Sequence, residues 1–165
     1  MTETLPTLPE RERPERTGRT LLVIPRIHDG SGTRILYGLV ATPGVARGKD
    51  TLEFPAGPVV DPGELRAGAA LVLSRQIGDG MAAAVIAPLG RLHADGAAEQ
   101  RVDVMLAVAR RTDAEGGEAL EPVGIPGMEW VDEQQLLQHL KTGRIANTST
   151  AAAIALMLAC GELVR

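Results

Sequence analysis

The sequence is poor in aromatic residues and in cysteine, and it contains no long apolar run. Its 165 residues include one tyrosine, one phenylalanine and one tryptophan, which leaves few rings on which a nucleobase could stack. The single cysteine, Cys160, cannot form an internal disulfide, and no apolar stretch approaches the ~20 residues that span a bilayer. With a formal net charge of -4, the protein is expected to bind neither nucleic acid nor a membrane, and a cytoplasmic location is expected.

A further absence concerns residues 65–78, which contain no aspartate and no glutamate. The pattern of this region predicts a helix from Leu65 to Ile77, on which residues i, i+3 and i+4 share one face. Val72, Arg75 and Gln76 have that spacing, so their face offers no carboxylate to a hard cation such as Mg²⁺. Arg75 is instead a candidate for holding an anionic or carbonyl-bearing ligand.

The remaining elements follow from hydrophobic periodicity and turn residues. Residues 1–18 are rich in proline and charge and are expected to form a flexible arm, followed by one domain over residues 19–165. Strands are predicted over residues 20–27, 33–40, 51–54, 85–92, 102–108 and 128–131. The order of strands and helices predicts an α+β fold, a mixed sheet packed between helices in an α/β/α sandwich.

Two of these elements carry specific expectations. Alternation over residues 102–108 indicates a strand with one strongly buried face. Asp132 and Gln135 fit the start of a helix that Gly143 ends, and Thr148 or Ser149 is expected to cap a last helix over residues 151–160. That last helix is apolar around most of its circumference, which predicts burial on several sides or in a subunit interface.

Three blocks of sequence resemble the Nudix hydrolases, in the branch of ADP-ribose and nucleotide-sugar pyrophosphatases. The first is Thr51-Leu-Glu-Phe-Pro-Ala-Gly57 followed by Val60-Asp-Pro-Gly-Glu64, which is similar to the entry of the Nudix box. The second runs from Leu89 to Ala107 and the third from Trp130 to Leu158, in the order that the branch has. The resemblance implies a Nudix fold over residues 19–165.

The box itself departs from the family pattern. Six residues separate Gly57 from Glu64 where the motif has five. With Gly78 as the anchor, the motif's metal-binding glutamates fall on Val72, Arg75 and Gln76. Counting from Glu64 shifts the register by one, and no acidic residue lies in the window in either register. In the branch, the backbone carbonyl of Ala56 is a metal ligand, and a basic residue on the preceding strand meets the phosphates. Residues 39–43 contain no such residue. Standard magnesium-dependent hydrolysis is therefore not expected, and no cofactor is predicted.

The favoured interpretation is a Nudix-fold protein that binds a small molecule in the family's pocket, either as a recruited non-hydrolytic enzyme or as a binding module. The candidate ligand-binding residues are Glu53, Ala56, Arg75, Gln76 and Arg91. The candidate catalytic residues are Glu64, Glu99, His93 and Asp95, of which His93 and Asp95 would form an acid/base pair.

Two alternatives remain. The first is a divergent nucleoside-diphosphate-type pyrophosphatase, with Mg²⁺ held by Ala56, Glu53, Glu64, Glu99 and a loop glutamate. In the branch, the catalytic base often lies where this sequence has Glu115, Glu118 and Glu121. The second is a non-catalytic structural or regulatory dimer. A homodimer is expected from the resemblance in each case.

Overall fold

The computed structural model describes residues 18–28, 33–43, 50–77, 84–94, 100–110 and 128–163. The strands are β1 Arg19–His28, β2 Ile35–Thr42, β3 Thr51–Glu53, β4 Ala56–Pro58, β5 Val85–Ala94, β6 Gln100–Arg110 and β7 Met128–Val131. The helices are α1 Leu65–Ile77, α2 Glu133–Lys141 and α3 Thr148–Ala159. All six predicted strands and all three predicted helices are confirmed, and β4 is an additional strand. The predicted arm, apart from Gly18, lies outside the described residues.

The described strands form one mixed sheet. Its main path is β3-β2-β1-β6-β5, while β4 pairs with the first half of β1 and β7 pairs with β2. β1 and β6 run parallel over their whole length, and the other pairs are antiparallel. A parallel neighbour to β1 requires a long crossover, and α1 lies within the segment that makes it.

Helices cover both faces of this sheet, which confirms the α/β/α sandwich. On one face, Leu21 and Val23 of β1 and Met105 of β6 pack against α1. On the other face, Leu22 and Ile24 pack in a second cluster with residues of α2 and α3. Successive residues of a strand point to opposite faces, so β1 supplies both clusters in alternation.

The prediction that β6 has a single strongly buried face is wrong, because both faces of this strand are buried. Every residue from Val102 to Ala107 is buried, because β6 lies between β1 and β5 with helices on both sides. Val102, Val104 and Leu106 join the cluster under α2 and α3, whereas Met105 and Ala107 join the cluster under α1. Asp103, on the α1 face, is thereby buried at 3% exposure.

The starts of α2 and α3 show one correct prediction and one error. Asp132 caps α2, and its side chain and that of Gln135 form a reciprocal capping box. The prediction that Thr148 or Ser149 caps α3 is wrong, because the cap is Asn147 and α3 begins three residues earlier than expected. The Asn147 side-chain oxygen accepts the Thr150 N–H at 3.0 Å. Thr150 is itself buried, and its hydroxyl accepts the Phe54 N–H at 3.2 Å.

The cap at Asn147 leads to a stability prediction. Asn147→Ala should lower the free energy of unfolding by about 1 kcal/mol, because one amide N–H at the start of α3 loses its acceptor. Thr148→Ala, at an exposed neighbouring position, should change it by less than about 0.5 kcal/mol. Urea denaturation followed by circular dichroism measures both values. A larger loss for Thr148→Ala than for Asn147→Ala would contradict the assignment.

α3 is buried along one face rather than on all sides of the described structure. Ala153, Ile154 and Met157 are fully buried, whereas Leu158 keeps 37% of its surface exposed. Much of the remaining surface of α3 is alanine, which explains why the sequence is apolar around the helix. Among the described residues, no helix has the length and apolar character needed to cross a membrane.

Candidate functional site

A cleft of about 350 Å³ lies between β4 and α1. Its walls are the strand Ala56–Pro58, the turn that contains Asp61 and Glu64, and the outer side of α1 from Ala67 to Gln76. Such a volume lies within the range of small-molecule sites. The cleft joins the first resembling block to the helix that lacks acidic residues.

Glycines allow α1 and the sheet to approach closely beside the cleft. A Cβ atom on Gly57 would lie 3.0 Å from Val72 Cγ2, and one on Gly68 would lie 3.1 Å from Leu21 Cδ2. α1 buries Ala69, Val72, Leu73 and Ile77 against the sheet, so its exposed side forms the wall of the cleft. The predicted helix bounds, Leu65 to Ile77, are confirmed.

The most informative contact in the cleft joins Gln76 to Ala56. The Gln76 side-chain Nε2 donates a hydrogen bond to the Ala56 backbone carbonyl at 2.7 Å. The resemblance described above implies a metal ligand at this carbonyl and matches Gln76 to a glutamate of the motif. Here an amide N–H occupies one acceptor direction of the carbonyl.

The charged groups of the cleft come from its two ends. Asp61 and Glu64 lie in the turn before α1, and Arg75 lies in the last turn of the helix. Asp61 Oδ1 accepts the Gly63 N–H at 2.7 Å, which engages that carboxylate in its own turn. Throughout the described ranges, no group of three or more histidine, cysteine, aspartate or glutamate residues is placed to hold a metal ion.

The other predicted site residues lie apart from the cleft or outside the described residues. Glu53 on β3 is half-buried, and its carboxylate accepts Thr51 Oγ1 at 3.4 Å and Asn147 Nδ2 at 3.3 Å. His93 is exposed on β5 and does not line the cleft. Two catalytic candidates, Asp95 and Glu99, and the three loop glutamates, Glu115, Glu118 and Glu121, lie outside the described residues.

Arg91, the remaining candidate, belongs to an ion-pair cluster that sequence reasoning missed. Arg91 Nε donates to Asp103 Oδ1 at 2.8 Å, and Arg19 Nε donates to Asp103 Oδ2 at 2.5 Å. Burial alone would raise the pKa of Asp103, but the hydrogen bonds and charges of Arg19 and Arg91 outweigh it and hold the pKa below its usual value. The sequence did contain a signal for this cluster, namely Asp103 in an otherwise apolar strand. A carboxylate that is buried in a strand requires a hydrogen-bonding or charged partner.

Comparison with known proteins rests on structure, since no family model matches the sequence and no curated protein matches it significantly. The crystal structure of an ADP compounds hydrolase is 18% identical, with a TM-score of 0.55 over 86% of this chain and 71% of that one. A chain in the complex between the C-terminal domain of mouse MUTYH and human PCNA is 16% identical, with a TM-score of 0.59 over 90% and 92%. A MutT/nudix family protein from Enterococcus faecalis is 15% identical, with a TM-score of 0.47 over 77% and 47%.

The first two likenesses, together with the sheet topology, show that the chain has a Nudix-like fold. The fold expected from the three sequence blocks is therefore confirmed. Identities below a fifth show the fold alone, and a fold hosts more than one function. The function has to be argued from the cleft.

Proposed function

We propose that this Nudix-fold protein binds a small anionic or carbonyl-bearing molecule in the cleft between β4 and α1, without divalent cations and without diphosphate hydrolysis. The observation that carries the proposal is the 2.7 Å hydrogen bond from Gln76 Nε2 to the Ala56 carbonyl. A metal ion at this carbonyl would have to share the oxygen with the amide or displace it. Glu64, the acidic residue that the resemblance matches to the start of the motif, lines the opposite end of the cleft.

Charge supports the same proposal. Mg²⁺ prefers oxygen ligands and takes carboxylates together with phosphate oxygens and waters. The α1 wall of the cleft presents a guanidinium at Arg75, an amide at Gln76 and apolar groups at Leu71 and Val72. A guanidinium repels a dication, but it binds carboxylates and phosphates through two parallel N–H donors. We assign Arg75 as the anchor of the ligand and Gln76 as a polar group beside it.

The likenesses to solved structures leave room for both interpretations of the cleft. One neighbour is described as a hydrolase of ADP compounds, and another is a domain in complex with a protein, PCNA. The first favours the alternative of a divergent pyrophosphatase, which would hold its metal with Ala56 and Glu64. A binding module and a recruited non-hydrolytic enzyme would both use the cleft as described above.

Binding without metal is the test. In EDTA, at least one member of a panel of phosphorylated and carboxylated metabolites, with ADP-ribose included, should raise the melting temperature and give a measurable Kd. Arg75→Gln should weaken that Kd about tenfold or more, because a charge-assisted contact is lost. Arg66→Gln is the matched control, since Arg66 is an exposed α1 residue that does not line the cleft.

The pyrophosphatase alternative is tested with the same proteins. Wild-type protein should release no product from nucleoside diphosphate compounds with Mg²⁺ or Mn²⁺, and Glu64→Gln should behave like the wild type. Metal-dependent turnover that Glu64→Gln abolishes would overturn the proposal and establish the alternative.

The homodimer, the flexible arm over residues 1–18 and the cytoplasmic location remain predictions.

A further inference from the structure

A second polar cluster lies away from the cleft, where β5, β6 and β1 run side by side. At its centre is Asp103, whose side chain is 4% exposed and pairs with both Arg19 and Arg91. The two arginines reach solvent, with 23% and 47% of their side-chain surfaces exposed. Among the described residues, one carboxylate therefore pairs with two guanidinium groups and neutralises them only in part.

Each arginine contacts Asp103 through Nε, so its terminal guanidinium nitrogens are not used in these two hydrogen bonds. Each uses its Nε–H, one on Oδ2 and the other on Oδ1. Both oxygens of the carboxylate are thereby engaged, and each guanidinium keeps two terminal nitrogens. No hydrogen bond from those nitrogens to another described side chain accompanies the Nε contacts. Because the buried carboxylate fixes both guanidinium groups through Nε, it also fixes the direction in which their terminal N–H groups point.

The strand register adds two more basic residues to this face of the sheet. Arg91 pairs with Asp103 and His93 pairs with Arg101 in the antiparallel β5–β6 ladder, while Arg19 is the parallel partner of Arg101. Residues two apart on a strand share a face, so Arg101 and His93 lie on the same side as the ion-pair cluster. With His93 neutral, these residues sum to a positive charge in a chain whose net charge is -4.

We propose that Arg19, Arg91 and Arg101 form a binding site for a phosphate group, with Asp103 as the positioning residue. Phosphate oxygens accept paired donors from guanidinium groups, and the local excess of positive charge favours a dianion. The site does not depend on the cleft, because none of its residues lines it. It gives Arg91 the ligand-binding role expected from the sequence, but at a different place from Arg75.

The test uses inorganic phosphate and methyl phosphate as probes. In ¹H–¹⁵N spectra of arginine side chains, phosphate should shift the Nε–Hε signals of Arg19 and Arg91 in a saturable way at millimolar concentration. Binding of both probes assigns the site to the phosphate group of a larger molecule, whereas binding of inorganic phosphate alone assigns it to the free ion. Absence of a saturable shift with either probe overturns the proposal.

Variants locate the binding. Arg91→Gln should weaken phosphate binding about tenfold or more, and Arg91→Lys should weaken it also, because lysine keeps the charge without the oriented pair of donors. Arg66→Gln should leave it unchanged. Loss in Arg75→Gln with retention in Arg91→Gln would place the anion in the cleft and overturn this proposal without affecting the proposed function. A Kd for Arg91→Gln equal to that of the wild type would overturn it as well.

Discussion

Replacing Arg75 and Gln76 together by glutamate is expected to create a Mn²⁺ site in the cleft, where the wild type is expected to bind none. The double substitution removes the guanidinium and the amide that contacts the Ala56 carbonyl, and it adds two carboxylates at the end of the cleft where that carbonyl lies. Hard cations bind where several oxygen ligands meet, and affinity rises with the number of carboxylates. Titration of free Mn²⁺ by electron paramagnetic resonance should give a dissociation constant in the micromolar to millimolar range.

A control with the same change in charge separates a site from general attraction. Arg66→Glu with Gln134→Glu alters two exposed residues outside the cleft by the same amount. It should bind no more Mn²⁺ than the wild type. If both double variants bind Mn²⁺ equally, or if the wild type binds it as well as the cleft variant, the amide does not stand in the place of a metal.

Asp103→Ala is expected to lower the free energy of unfolding by about 3 kcal/mol, the low end of the range for breaking a buried ion pair. The substitution leaves Arg19 and Arg91 without their shared carboxylate, yet both arginines still reach solvent, which limits the loss. Asp50→Ala, at an exposed position, should cost less than about 0.5 kcal/mol. Chemical denaturation at pH 7 checks both. Equal values for the two variants would mean that the cluster contributes nothing to stability.

The same residue makes stability depend on acid. The pKa of Asp103 in the folded protein lies below its usual value, so the unfolded chain takes up the proton first. Its contribution is complete above the ordinary carboxyl pKa of about 3.9 and is lost as the pH falls through the lower folded value. Asp103→Asn should therefore show a shallower loss of stability below about pH 4 than the wild type.

The arrangement of elements could be predicted because its signals are local. The alternation of apolar residues marked the strands, and Gly78, a residue typical of the end of a helix, marked the end of α1. The Asp132–Gln135 capping box was likewise readable at three residues' separation. Even so, the cap of α3 was misplaced, because Asn147, Thr148 and Ser149 all have side chains that can cap a helix. Only the backbone path decided among them.

The sequence predicted some of the residues of the candidate site but not the contacts that these residues make. Gln76 was selected because of its place in the motif, while its bond to a carbonyl twenty residues away depends on how closely α1 lies on β4. Arg91 was selected as a ligand-binding residue, and its partner Asp103 emerged only from the register of β5 against β6. Arg19, which lies 84 residues from Asp103, was not considered at all.

By itself, the sequence determined that α1 is a helix without carboxylates and that three aromatic rings serve the whole chain. Periodicity and composition depend only on residues that are close in the sequence, so both can be determined without knowledge of the fold. The tertiary structure alone decided that an amide meets the Ala56 carbonyl and that one buried aspartate holds two arginines. Those contacts arise from strand register and helix packing, which bring together residues that are remote in the chain.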